Sequence, residues 1–94
     1  MKNAERLVVL KSDLELLTNA KDSYLTHLLQ VAEERIKAEG ITLTESVGDE
    51  DLRIMYAAYL YRKRAAELNA MPRMLRYALN NRLVQQKGGT ASVT

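Results

Sequence analysis

The chain has 94 residues, no cysteine and a formal net charge of +2, with 47% hydrophobic and 28% charged residues. One domain is expected from that length, disulfides and thiolate zinc sites are excluded, and no apolar run reaches the roughly 18–20 residues of a membrane span. A chain this short buries only about 60–65% of its unfolded surface, so a partner or an oligomer would add stability.

Residues 1–6 have no signal-peptide apolar core behind them, so the chain is expected to be made and used in a cytoplasm. A first helix is expected within residues 5–18, with Leu7, Leu10, Leu14 and Leu17 on one face. Ser12-Asp13-Leu14-Glu15 also reads as a capping box, in which case 7–10 is extended and the helix begins near Ser12. A second helix is expected over 21–39, because Leu25, Leu28, Leu29, Ala32 and Ile36 repeat at helical spacing. Asn19 or Asp22 can cap its start, and Gly40 stops it by accepting a left-handed conformation. Residues 41–44 alternate apolar and polar, which predicts a short extended segment, and 46–49 reads as a loop. Asp49, Glu50 and Asp51 place negative charge at the positive end of a third helix over 50–68. From Ile54 to Tyr61 that helix is apolar almost all round, so it should be central. A fourth helix is expected over 72–86, opened by Pro72 and striped by Leu75, Ala78, Leu79 and Leu83. The reading is an all-α domain of four helices over 1–88, with a flexible tail at 89–94.

Catalytic signatures are poor. His27 is the only histidine and reads as the polar edge of a helix face. Glu33 and Glu34 are adjacent, so they point about 100° apart on a helix and cannot share a site as acid and base. Asp49-Glu50-Asp51 lacks the spacing of a calcium loop and reads as helix-start charge. Tyr56, Tyr59, Tyr61 and Tyr77 invite base stacking, but core or interface packing fits their apolar neighbours better. Neither a cofactor nor a metal is expected. The charge is uneven: residues 1–50 hold six Lys/Arg against ten Asp/Glu (−4), and 51–94 hold eight against two (+6). Opposite-signed halves suit head-to-tail association, or nucleic acid facing the basic half.

The last helix, with Met71-Pro72-Arg73-Met74-Leu75-Arg76-Tyr77-Ala78-Leu79-Asn80-Asn81-Arg82-Leu83, follows Leu60-Tyr61-Arg62-Lys63-Arg64 and precedes Gln86-Lys87-Gly88. Together with Leu7-Val8-Val9-Leu10 and the run from Asp22 to Ala32, these segments resemble small head–tail connector proteins of long-tailed bacteriophages and prophages. Such proteins are also described as DNA-packaging or head-completion proteins, and the similarity covers roughly residues 5–88. The resemblance implies a non-catalytic structural virion protein, made in the bacterial host. It would form a ring, commonly of about twelve copies, beneath the portal, joining capsid to tail after packaging. Its expected partners are itself, the portal, tail-side connector proteins and duplex DNA passing through the ring, with no membrane. Contacts between subunits or partners are then assigned to Tyr61, Arg62, Arg64, Arg73, Arg76, Asn80 and Arg82, and the DNA channel to Arg62, Lys63 and Arg64. The chain departs from longer connectors in its short 41–49 connection and brief tail, which argues against a large loop for tail docking. The competing reading is a small helix-turn-helix-like DNA-binding regulator of a phage or prophage, with Arg73, Arg76 and Asn80 on its recognition face. Against it, the join between the last two helices has no glycine.

Overall fold

The computed structural model describes residues 2–66 and 70–91. It is all-helical: α1 (Asn3–Asp13), α2 (Asp22–Ala38), α3 (Val47–Ala66) and α4 (Arg73–Ala91), with no strand among the described residues. None of these helices is long and apolar enough to cross a membrane.

α1 begins earlier than the capping box at Ser12 suggested, and that box is not used. Leu7–Leu10 is helical, and Glu5 reaches back to accept the Lys2 backbone N–H at 2.9 Å. The helix ends where Glu15 N–H donates to Ser12 O (3.1 Å) and Leu16 N–H to Lys11 O (2.9 Å), the paired bonds of a Schellman turn. Glu15 takes the left-handed position at φ 58°, where glycine is usual. Because the helix stops there, Leu17 does not join the Leu7–Leu10–Leu14 face and is 97% exposed.

α2 buries the expected stripe of Leu25, Leu28, Leu29, Ala32 and Ile36. Neither Asn19 nor Asp22 caps it. Lys11 takes both side chains, through a hydrogen bond to Asn19 Oδ1 (2.7 Å) and a charge contact with Asp22 (2.9 Å). Gly40 ends α2 at φ 97° as expected, with its N–H on Lys37 O.

Residues 41–44 pair with no strand and are held by side chains instead. α3 starts at Val47, inside the stretch expected to be a loop, because Ser46 Oγ accepts the Asp49 N–H (3.2 Å) and acts as the cap. α3 packs against each of the other three helices, most extensively α2, and so is central. Leu52, Ile54, Tyr56, Ala57, Ala58, Tyr59 and Leu60 are buried, with Tyr56 and Tyr59 edge to face at 5.9 Å. Its expected end at Leu68 lies outside the described residues. Pro72 precedes α4 and accepts the Arg76 N–H on its carbonyl. α4 continues past the expected end at 86 and includes 89–91, which the sequence reading gave to the tail. Residues 92–94 lie outside the described residues.

Candidate functional site

α4 is seated by a short leucine stripe and a set of polar latches. Leu75 and Leu79 are buried against the core and Leu83 is partly buried beside them. Arg82 donates to both Asp49 oxygens, Nε to Oδ1 at 2.6 Å and Nη2 to Oδ2 at 3.1 Å, and its Nη2 also reaches Thr42 O at 3.0 Å. Gln86 grips the same connection from both sides, accepting the Thr42 N–H at 2.7 Å and donating to Gly40 O at 2.9 Å. Arg76 makes a two-pronged pair with Glu39, at 2.8 and 2.7 Å, and touches Asn80 Oδ1 at 3.3 Å. The Thr44 N–H and hydroxyl complete the shell around Asp49, at 2.7 and 2.8 Å. The Gly40 carbonyl and both backbone groups of Thr42 and Thr44 are thus satisfied by side chains of α3 and α4, which is how a segment without a ladder is held.

The electrostatics follow from this geometry. The Arg82 hydrogen bonds, with help from the Thr44 N–H and hydroxyl, hold Asp49 down at about 2 despite its burial. The Arg76 hydrogen bonds lower Glu39 in the same way. On the other side of α3, Arg6 clasps Glu50 at 2.6 and 2.9 Å and lowers its pKa. Arg53, 6% exposed, bonds Glu33 at 2.9 Å and Thr44 O at 2.7 Å.

These pairs bear on the charge argument. Arg53 with Glu33, Arg76 with Glu39, Arg82 with Asp49 and, more loosely, Arg62 with Asp13 at 3.4 Å all join the basic half to the acidic half inside one chain. Much of the −4/+6 asymmetry is therefore neutralised by folding. Arg76 and Arg82, assigned from sequence to partner contact, are spent on the chain's own carboxylates.

The remaining candidates divide between two places. Arg62, Lys63 and Arg64 diverge as successive helical residues must: Arg62 turns to Asp13, Lys63 lies over the Tyr59 ring at 5.9 Å, and Arg64 over Tyr24 at 5.8 Å. Tyr61 meets Tyr24 at 6.4 Å and carries Lys21 over its own ring at 5.3 Å. Lys21, Tyr24, Tyr61 and Arg64 thus form one cationic and aromatic cluster where α2 begins and α3 nears its end. Arg73 and Asn80 are exposed on α4. On the same outer side lie Met74 and Tyr77, between them, and Val84, one turn beyond Asn80, at 74%, 58% and 67% exposure.

Sequence reasoning missed a second surface. Val9 of α1, Val47 and Ile54 of α3 line a groove of about 470 Å³, rimmed by Glu5, Glu45 and Asp51. Val47 is 88% exposed and Val9 43%. The one hint in the sequence is the adjacent pair Val8-Val9, apolar residues that fall off the Leu7–Leu10–Leu14 face of the helix. His27 stands exposed on α2. The carboxylate of Asp49 is engaged by Arg82 and Thr44, and that of Glu50 by Arg6. What these surfaces offer is recognition: an apolar helix face, an acid-rimmed apolar groove, and a cationic aromatic patch. In comparison with known proteins, the chain matches no family model, no curated protein and no solved structure.

Proposed function

We propose that this chain is a non-catalytic assembly protein, a head–tail connector that forms a ring beneath a phage or prophage portal and joins capsid to tail. The observation that carries the reading is the orientation of α4. Its arginines 76 and 82 turn inward onto carboxylates, while Met74, Tyr77 and Val84 face outward. A helix built this way meets another protein with apolar surface, and tyrosine and methionine are residue types enriched at such interfaces. The same orientation weakens the regulator reading, because a recognition helix needs donors for bases and phosphates, and of the three residues assigned to its recognition face, Arg76 is spent on Glu39. The cluster around Lys21 and Arg64 supplies a modest cationic surface of the kind that passing DNA tolerates without a tight grip. In this reading the protein is made in the bacterial host, functions in the virion at the head–tail interface, and uses no cofactor.

The test is electron microscopy of the chain mixed with the portal and tail-side proteins of the same phage or prophage. Closed rings seated on the portal, with a channel admitting duplex DNA, are expected. No binding to the portal would overturn the reading. A DNA titration runs alongside, with weak and similar binding to unrelated duplexes expected. A site bound more than about a thousandfold tighter than random DNA would favour the regulator instead.

A further inference from the structure

The outer stripe of α4 is apolar with basic flanks, and the groove between α1 and α3 is apolar with an acidic rim. Met74, Tyr77, Asn81 and Val84 are spaced three, four and three apart, the spacing of a helix seam that inserts into a partner. Arg73 and Lys87 flank that seam. The groove has Ile54, Val9 and Val47 as its apolar lining and Glu5, Glu45 and Asp51 on its rim. Its volume of about 470 Å³ lies within the roughly 300–1,000 Å³ of pockets that enclose a drug-sized group. That is room for a tyrosine ring with an aliphatic neighbour. A chain cannot fill its own groove with this stripe, because α4 packs on α3 through the opposite side, Leu75 and Leu79.

We propose that the α4 stripe of one copy docks in the α1–α3 groove of a second copy, with Tyr77 as the anchor and Arg73 and Lys87 against the acidic rim. Stripe and groove are different surfaces, so the contact is heterologous. Each copy offers one of each, and successive contacts grow until the rotation per step closes a ring. This deepens the assembly reading by naming its interface, yet it is testable on the chain alone.

The experiment is sedimentation velocity on the full chain up to ~1 mM, where even millimolar affinity registers. Wild-type protein is compared with Val47→Asp, which blocks the groove, and Tyr77→Asp, which blocks the stripe. Both sites are exposed, and an acid at Val47 in the first turn of α3 suits the helix. Circular dichroism checks the fold, and Val84→Asp repeats the stripe arm. The wild type should grow beyond a dimer with concentration, and each variant should bind itself at least about tenfold more weakly. A one-to-one mixture of the two variants should stop at a dimer, because the intact stripe of the first fits the intact groove of the second. A wild type that stays monomeric, variants that assemble as well as the wild type, or a mixture without dimers would each overturn the proposal. Rings on the portal formed equally by both variants would overturn this interface and leave the connector reading standing. Self-association without portal binding would do the reverse.

Discussion

Replacing Arg82 with alanine should destabilise the chain by about 2 kcal/mol. The side chain makes two hydrogen bonds to Asp49 and one to Thr42 O. Without it, a carboxylate only 2% exposed keeps the Thr44 donors alone. Breaking a fully buried pair costs about 3–5 kcal/mol. Here Arg82 is itself 19% exposed, and the space beside it is open to water, so the lower figure applies. The pKa gives a similar size: Asp49 is held at about 2 against an ordinary 3.8, which at about 1.4 kcal/mol per pKa unit is about 2.5 kcal/mol for Arg82 and Thr44 together. A small domain is stable by roughly 0.05–0.15 kcal/mol per residue, so the loss is a substantial share of the whole. Urea unfolding followed by circular dichroism at neutral pH measures it, with the Tm expected to fall by about 8–16 °C. A change within about 0.5 kcal/mol would refute the view that this pair latches α4.

Acid should unfold the protein partly through the same group. The folded pKa of Asp49 is depressed, so its contribution is fully present above 3.8 and is lost as pH falls through about 2. Stability measured between pH 5 and 2 should therefore fall, and should fall less in Asp49→Asn. Glu15→Gly should raise stability by roughly 0.5 kcal/mol or more, since it relieves a left-handed glutamate at the cost of a looser unfolded chain; thermal unfolding reads this out. Leu60→Ala and Tyr56→Ala should each cost about 2–5 kcal/mol in urea, and losses within about 0.5 kcal/mol for both would show that α3 is not central.

The helical periods made most of the fold legible. All five residues of the α2 stripe are buried, the apolar run of α3 is central, and Gly40 stops α2 in the predicted conformation. The α1 boundary was not legible because two local solutions competed at Ser12–Glu15. The one adopted puts a glutamate where glycine would have announced the turn. The start of α3 was misplaced because Gly48 suggested a loop and outweighed the cap available at Ser46. In α4 the error was one of assumption. Arg82 lies seven residues after Leu75, and Gln86 seven after Leu79, so both share the inward face. Charge suggested solvent, whereas the bare 40–44 backbone and the buried Asp49 required donors there. Beyond the apolar pair Val8-Val9 the groove was not legible, since Val9, Val47 and Ile54 come together only when α1 packs on α3.

The central claim is that folding consumes most of the charge asymmetry and leaves assembly to apolar surface. The most direct measurement is the self-association constant of the full chain at low and at high salt. Between ~0.05 and ~0.5 M salt, where the screening length shrinks from more than ~10 Å to less than ~8 Å, the constant should fall by less than about tenfold. Only the exposed rim charges around Arg73 and Lys87 are then lost, at about 0–1 kcal/mol for each surface pair. A larger fall would contradict the account, because it would mean that opposite-signed halves, and not the Tyr77 stripe, hold the copies together.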